Sequence, residues 1–497
     1  MEFYLKNISV KILSSFLILT LILQQFVVGQ NSVQDAVTTF KNNPAFSNAS
    51  ISFCAIDLST GSTIAELNPN LSLPPASITK LFSTATAIEI LGPNYKPTTR
   101  IYIDGKIDAN GVLNGNLWVR GGGDPSLGSF YYNENGTENQ FFKLWADTIS
   151  KLGIKSISGF IIGDASEFGY AGVPDGWNWS DMGNYYGAGP SGLVIYDNMI
   201  RYSFKTGSFS GAKTELISTF PNVPNYNFHN YITSSKKDGD NSYIYGAPYS
   251  LDRFGTGYLP INSTSFTVRG SLPDPEYQFV YEFQKILNEK GIIASKGIKS
   301  VRQADLYKDP TRYSSDFQLL YTHYGRTVLS IANWTNMKSV NLFAEELLCL
   351  TGYKQNGDGS TENSINQLEK YWQSKFDLTG LYIKDGSGLS RSNAISSRHF
   401  CNLLSEMSKS VNYTDFLSTL PVAGCSGTLS GVCKNQLGHG RVRAKSGTMS
   451  RIKSYSGYVD SSSGKKIAFA IIVNNFNCSS SVVVDQMEKI FNTMSVY

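Results

Sequence analysis

The chain has 497 residues, of which 41% are hydrophobic and only 16% are charged, and its formal net charge is +4 at pH 7. This length exceeds what one hydrophobic core usually organises, so the sequence predicts two or three domains. The small net charge argues against a nucleic-acid partner. A share of charged residues below the roughly 25% of average soluble proteins is typical of an exported, sheet-rich protein.

The N-terminus has the anatomy of a secretory signal peptide. Lys6 and Lys11 precede an apolar run over residues 12–23, and small residues at 27–29 provide a cleavage point. The run is shorter than the ~18–20 residues that a spanning helix needs, although an uncleaved membrane anchor is the alternative. We therefore expect residues 1–29 to be removed on export to the periplasm or cell envelope, with no transmembrane segment afterwards.

The next elements follow in a clear order. Residues 50–57 and 62–67 alternate like two strands around a turn, and apolar residues from Ile78 to Ile88 then recur at helical spacing. Helical patterns return in the second half of the chain. Three strand-like runs within residues 440–474 and a last helix from about Ser481 complete it. We expect the first hairpin and the last three strands to form one sheet.

The two parts of the chain that are expected to form that sheet are separated by a segment with a different residue pattern. Between residues 98 and 297, short strand-like runs alternate with Gly, Asn and Pro turns, which predicts one or two inserted β-rich domains. The sequence therefore predicts a first domain that begins with residues 30–97, is interrupted by 98–297, and resumes over 298–497.

The cysteines and histidines indicate no metal site. There is no C-x-x-C pair, and the four histidines are scattered. Among the six cysteines, Cys425 and Cys433 are the nearest pair suited to a disulfide, but free buried thiols fit equally well. Residues 121–124 lack the lysine and the spacing of a phosphate-binding loop. We therefore expect no metal and no cofactor.

Three short motifs occur in order: S-x-x-K at Ser77, S-x-N at Ser339 and K-S-G at Lys445. Each pattern alone is weak, because S-x-x-K and S-x-N recur elsewhere and a K-T-G occurs at Lys205. The place of each motif in the predicted helices and strands distinguishes the candidate site from these other occurrences. Ser77 lies at the start of a predicted helix, and Lys445 lies on a strand that precedes two more, whereas Lys205 lies in the insert.

Ser77 and Lys80 have the spacing of a nucleophile and its base. Three residues of separation place both side chains on one helix face, one turn apart. A serine hydroxyl attacks only when a base takes its proton, and a lysine can be that base only when it is neutral. Burial and a neighbouring cation such as Lys445 favour the neutral form. The alternative is that Ser77 merely caps its helix.

The second motif would complete this site. Ser339 is expected to relay a proton between Lys80 and the leaving amine, and Asn341 to hold Lys80 or the substrate backbone. The alternative for Ser339 is an N-cap of the following helix, and the two roles are compatible.

The third motif suits recognition of a peptide end at a strand edge. Lys445 and Ser446 offer a charge and a hydroxyl to a terminal carboxylate, and Gly447 allows a close backbone approach. The backbone N–H of Thr448, with that of Ser77, could form an oxyanion hole. The alternative is an ordinary exposed turn.

S-x-x-K, S-x-N and K-[T/S]-G in this order mark the penicillin-recognising serine enzymes. With its long insert, the chain resembles the low-molecular-mass class C penicillin-binding proteins, the D-alanyl-D-alanine carboxypeptidase/endopeptidase family. Further matching segments are residues 122–125, 176–179, 385–390, 420–424 and 456–459. The resemblance implies an α/β (α+β) transpeptidase/β-lactamase-like domain, with an antiparallel sheet and helices, split by inserted β-rich domains.

The resemblance also implies an activity. Peptidoglycan stem peptides ending in D-alanyl-D-alanine would acylate Ser77, release D-alanine and be freed by water, and β-lactams would be covalent inhibitors. Some family members also cut peptide cross-links. Ser446 stands where threonine is usual, and the segment Cys425-Ser426-Gly427-Thr428 stands where the family tends to have an acidic residue before Gly-Thr. The alternatives are a serine β-lactamase or esterase, and a catalytically silent cell-wall-binding protein.

Overall fold

The computed structural model describes residues 33–133, 136–308 and 317–497. The expected signal peptide, residues 1–29, lies outside the described residues. Within the described ranges, no helix is both long enough and apolar enough to cross a membrane.

Helices and strands alternate along the described chain. The helices are α1 (33–41), α2 (Lys80–Leu91), α3 (Gln140–Lys151), α4 (Trp179–Met182), α5 (Pro275–Glu289), α6 (Val328–Lys338), α7 (Asn341–Asn356), α8 (Thr361–Gln373), α9 (Ser397–Lys409), α10 (Tyr413–Ser418) and α11 (Ser480–Met494). The strands are β1 (Ser50–Asp57), β2 (Thr63–Leu67), β3 (Thr98–Ile103), β4 (Lys106–Ile107), β5 (Val112–Asn114), β6 (Leu117–Arg120), β7 (Ser156–Ile157), β8 (Ile161–Asp164), β9 (Met199–Lys205), β10 (Glu215–Phe220), β11 (Asn227–Asn230), β12 (Thr233–Ser235), β13 (Asn241–Tyr245), β14 (Asp252–Pro260), β15 (Phe266–Ser271), β16 (Ile293–Ala294), β17 (Ile298–Ser300), β18 (Gln318–Tyr324), β19 (Val442–Met449), β20 (Ile452–Asp460) and β21 (Lys466–Asn474).

A five-stranded antiparallel sheet brings the two ends of the described chain together, in the order β19-β20-β21-β1-β2. β1 pairs with β21 along its whole length, from Ser50 opposite Asn474 to Asp57 opposite Ile467. The first hairpin and the last three strands therefore share one sheet, as the sequence predicted. Strand β19, which carries the K-S-G motif, lies at the edge.

Both faces of this sheet are covered by helices. Cys54 and Ala470 point to a core shared with α2 and α6 to α9, whereas Phe53 and Phe469 point to a core shared with α1 and α11. Neighbouring residues of a strand face opposite sides, so the near-continuous apolar runs of β1 and β21 supply both cores. Full burial of a phenylalanine contributes about 1.5–3 kcal/mol, so the sheet is a firm support for its edge strand.

The region between α2 and α6 contains four smaller sheets. Their strand orders are β17-β8-β6-β3-β18, β16-β7-β5-β4, β10-β9-β15, and β11-β14-β12 with β13 paired to β14. Large side chains of α3 and α5, among them Trp145 and Phe283, are fully buried in the core of this region. The inserted region is β-rich, as the sequence predicted.

The end of the inserted region differs from the expected boundary at residue 297. β17 pairs in parallel with β8, and β18 pairs antiparallel with β3, so sheet pairing carries this region to Tyr324. These strands are short or largely exposed and have no apolar alternation to distinguish them. In the sequence, only the helical spacing that begins at Val328 indicates where the chain re-enters the first domain.

The possible disulfide between Cys425 and Cys433 is wrong. All six cysteines lie in the described residues and all are free. Cys425 is exposed, with its Sγ 3.6 Å from Nε2 of His439. Cys433 is buried, and burial raises the pKa of its thiol to about 12.

Candidate active site

Ser77 lies in a 3₁₀ turn, Ala76–Thr79, immediately before α2. Pro74 and Pro75 lead into the turn, and Ala76 adopts a φ of +52°, a conformation that residues other than glycine rarely adopt. The Ser77 hydroxyl does not cap α2, whose N-cap residue is Thr79. It accepts a hydrogen bond from Lys80 Nζ at 3.0 Å instead. The capping alternative for Ser77 is therefore wrong.

Lys80 is completely buried at the start of α2, and its ammonium group has three acceptors. Besides Ser77 Oγ, Nζ donates to Asn341 Oδ1 and to the Ser387 carbonyl, both at 2.7 Å. Burial lowers the pKa of Lys80 to about 7, although the negative charges of Asp385 and Glu345 oppose the shift. At neutral pH a large share of the molecules therefore carries a neutral amine beside the Ser77 hydroxyl.

The S-x-N motif forms the junction between α6 and α7. Ser339 ends α6 in the left-handed conformation, with a φ of +59° and a ψ of +38°. The N-cap residue of α7 is Val340, so the expected capping role of Ser339 is wrong. Asn341 begins α7 and connects two regions of the fold, because its Oδ1 accepts from Lys80 while its Nδ2 donates to the Tyr186 carbonyl at 2.7 Å.

Lys445 is completely buried on the edge strand β19. Its Nζ donates to Ser339 Oγ at 2.9 Å and to the carbonyl of Ser446 at 2.8 Å. Burial first, and then the charges of Lys80 and Lys453, lower the pKa of Lys445 well below its ordinary value. An anion that entered the site would stabilise the protonated form of this lysine.

The remaining K-S-G residues place β19 against the turn that carries Ser77. A Cβ atom at Gly447 would lie 2.3 Å from Ser454 Oγ and 3.0 Å from the backbone nitrogen of Ser77, so a side chain there would push the two segments apart. Ser446 donates from Oγ to Thr428 Oγ1 at 2.8 Å. Thr448 is exposed and follows Gly447 beside the Ser77 backbone.

The outer edge of β19 is open where the motif lies. In the described part of the chain, that edge is bridged at Arg443 by Val422 and has no further strand partner. The backbone of residues 445–449 can therefore pair with an extended peptide.

The structure brings the three motifs together, whereas the K-T-G pattern at Lys205 lies in a different region. One network joins Ser77, Lys80 and Asn341, and a second joins Ser339 to Lys445. The S-x-N junction connects the two networks. Lys205, by contrast, is exposed at the end of β9 in the inserted region.

Sequence reasoning missed the backbone acceptors of the site. The carbonyls of Ser387 and Tyr186 hold Lys80 and Asn341 respectively, but a carbonyl has no signature in a sequence. The one available signal was the Asp-Gly-Ser-Gly run at residues 385–388, whose acidic residue and glycines are typical of a tight turn.

A cleft of about 470 Å³ adjoins Ser339 and Asn341 on the side of the inserted region. Its lining includes aromatic side chains and the cationic side chains of Arg269 and Lys338. The Arg269 guanidinium lies 4.4 Å from the centre of the Tyr185 ring. Over the described ranges, no group of three or more potential metal ligands is present.

Comparison with known proteins finds a carboxypeptidase family and carboxypeptidase relatives. The model of the D-Ala-D-Ala carboxypeptidase 3 (S13) family matches residues 33–494. Penicillin-sensitive carboxypeptidase A of Dictyostelium discoideum is 27% identical over 93% of this chain and 91% of its own length. A D-alanyl-D-alanine carboxypeptidase of Actinomadura sp. is 24% identical over 89% of this chain and 81% of its own length.

A solved structure has the same fold. The crystal structure of penicillin binding protein 4 from Haemophilus influenzae matches with a TM-score of 0.78 and 21% identity, over 93% of this chain and 99% of that chain. This likeness confirms the predicted α/β fold class.

Proposed function

We propose, since the chain belongs to the D-Ala-D-Ala carboxypeptidase 3 (S13) family, that it removes the terminal D-alanine from peptidoglycan stem peptides through an acyl-enzyme on Ser77. Family membership confirms two predictions, the class C penicillin-binding protein and the serine-type carboxypeptidase. The observation that carries the residue assignment is the 3.0 Å contact between Ser77 Oγ and a buried lysine whose pKa is about 7.

Acylation begins with a proton transfer from Ser77 Oγ to the neutral amine of Lys80. The oxygen attacks the carbonyl carbon of the penultimate D-alanine, and the backbone N–H groups of Ser77 and Thr448 stabilise the oxyanion. The C–N bond then breaks. The leaving amine takes a proton that passes from Lys80 by way of the Ser339 hydroxyl, and D-alanine departs.

Hydrolysis reverses the roles of the same groups. Lys80, neutral again, takes a proton from a water molecule, which attacks the ester carbonyl on Ser77. When the ester bond breaks, the proton returns to Ser77 Oγ. A β-lactam would acylate Ser77 by the same first steps, in keeping with the relative that is described as penicillin-sensitive.

Lys445 would recognise the terminal carboxylate of the substrate. The carboxylate supplies the negative charge that favours the protonated lysine, and the open edge of β19 aligns the peptide beside it. Cleavage of peptide cross-links is proposed as a second activity of this site, since such a substrate presents the same D-alanyl carbonyl.

The location of the protein in the cell is also a proposal. The N-terminal basic and apolar segment supports export to the periplasm or cell envelope, where peptidoglycan stem peptides would be the partner.

Digestion of purified peptidoglycan, with the products weighed by mass spectrometry, tests the function. We expect stem peptides ending in D-alanyl-D-alanine to lose one alanine residue, and fluorescent penicillin to label the protein stably. Rapid turnover of the penicillin without loss of alanine would indicate a β-lactamase. Absence of both labelling and hydrolysis would indicate a silent wall-binding protein.

Lys445→Met is expected to weaken recognition of a free carboxylate while preserving side-chain volume. A hydrogen bond to a charged group contributes about 1.5–3 kcal/mol, so kcat/KM on a peptide ending in a free carboxylate should fall about 10- to 100-fold. The C-terminal amide of the same peptide should be affected much less. Lys205→Met, in the exposed K-T-G decoy, is the control. An equal loss of kcat/KM on both peptides would show that Lys445 does not bind the terminal carboxylate.

A further inference from the structure

The position of the Lys80 amine depends on a peptide group outside the three motifs. The Ser387 carbonyl accepts from Lys80 Nζ at 2.7 Å, a contact shorter than the 3.0 Å between Nζ and Ser77 Oγ. A small movement of this carbonyl would therefore change the distance between base and nucleophile. What fixes residues 385–390, here called the lysine loop, thus matters to the reaction.

Glu345 binds the lysine loop through two successive peptide groups. It lies one helical turn after Asn341 on α7 and is completely buried. Its Oε2 accepts from the backbone N–H of Gly386, and its Oε1 from that of Ser387, both at 2.8 Å. One oxygen of the carboxylate therefore holds Ser387, whose carbonyl contacts Lys80, and the other oxygen holds the preceding residue.

Close packing leaves the lysine loop little room for another conformation. The Asp385 carboxylate accepts from the backbone N–H groups of Gly388 and Ser390, at 2.8 and 2.6 Å. A Cβ atom at Gly386 would lie 2.8 Å from the Ala344 carbonyl, and one at Gly388 would lie 2.0 Å from the Ala76 carbonyl. The lysine loop is thus confined between α7 and the turn of Ser77.

We propose that Glu345 is a positioning residue for Lys80, because its carboxylate fixes the Gly386 and Ser387 peptide groups and thereby holds the Ser387 carbonyl against Nζ. This inference rests on the proposed function, in which Lys80 is the base. The hydrogen bonds of the Glu345 carboxylate go to the lysine loop, and it is Lys80 that contacts Ser77.

The charges around Glu345 and Lys80 determine the pH dependence that is expected of a variant. Lys80 faces Glu345 of α7, Asp385 of the lysine loop and Lys445 of β19. Glu345 faces Lys80 and Asp385, with Glu346 and Cys349 as ionisable neighbours on its own helix. Burial raises the pKa of Glu345 to about 8, while the Lys80 charge opposes that shift. Glu345 is therefore mostly uncharged at neutral pH, and Asp385 supplies the larger charge that favours the protonated form of Lys80.

Glu345→Gln tests the proposal in the full-length enzyme, with the rate of acylation by a β-lactam measured from pH 5 to 9. An amide group can accept only one of the two backbone hydrogen bonds, so the rate should fall by on the order of 10- to 100-fold. The pH midpoint of the rate should stay near pH 7, because the Glu345 carboxyl group, whose pKa is about 8, is mostly uncharged there. The loss should appear in the maximal rate of acylation and not in the β-lactam concentration that gives half of that rate.

The neighbouring residue supplies a matched control. Glu346 is equally buried on α7, but its Oε1 accepts from the backbone N–H of Ser191, away from the lysine loop. Glu346→Gln should leave both the rate and the midpoint near the wild-type values. Glu345→Asp keeps the carboxyl group but shortens its reach to the Gly386 and Ser387 N–H groups, so it should lower the rate while the midpoint stays in place.

Two results would overturn the proposal. One is a Glu345→Gln enzyme whose maximal rate of acylation matches that of Glu346→Gln. The other, which decides the question if the glutamine variant does not fold, is a folded Glu345→Asp enzyme with wild-type rates. Failure of the proposed function is distinguishable, since it would appear as a wild-type protein that no β-lactam acylates.

Discussion

Ser77→Ala is expected to abolish both peptide hydrolysis and covalent labelling by penicillin. Removal of a serine nucleophile costs on the order of 10⁶ in rate, because the remaining groups have no oxygen to attack with. Lys80 would still donate to Asn341 and Ser387, so the fold and the position of the base should be kept. Gel fluorescence with a labelled penicillin, and release of D-alanine from a D-alanyl-D-alanine peptide, measure the two losses.

Ser210→Ala is the matched control for that experiment. Ser210 begins another S-x-x-K pattern, with Lys213, but it lies exposed in the inserted region. Its variant should label and hydrolyse at the wild-type rate. Activity in Ser77→Ala within a few-fold of wild type would refute the nucleophile assignment.

Lys80→Met should slow acylation by on the order of 10²- to 10⁴-fold, the usual contribution of a positioned base. Methionine has a similar length and no charge, and burial already disfavours the charge of Lys80, so the variant should fold. The acylation rate with a β-lactam, together with the midpoint of thermal unfolding, separates loss of the base from loss of structure.

The pH dependence of the wild type gives the same assignment a second test. A base with a pKa of about 7 is protonated below that pH and cannot accept the Ser77 proton. Acylation by the wild type should therefore fall about tenfold per pH unit below pH 7 and level off above it, whereas Lys80→Met should lose this dependence. Lys213→Met is the control and should keep the wild-type profile. A flat wild-type profile would contradict Lys80 as the base.

The local patterns allowed much of the fold to be predicted. Near-continuous apolar runs in β1 and β21 predicted one sheet from the two ends of the chain. Helical spacing after Ser77 predicted α2. Strands β17 and β18 lie beyond the predicted boundary at residue 297 and have no sequence pattern of their own, because they become strands through partners far away in the sequence.

The sequence by itself determined the three motifs and their order, because these depend on residue types at short, fixed spacings. The family resemblance that the motifs carry then implied the fold class and the kind of enzyme. Only the tertiary structure decided that Ser77 and Ser339 are not helix caps, and that Lys80 has a pKa near 7. That pKa depends on burial and on charges contributed by α7 and by the Asp385 turn. Hundreds of residues separate those charges from Lys80 along the chain, and folding brings them close enough to act on its pKa.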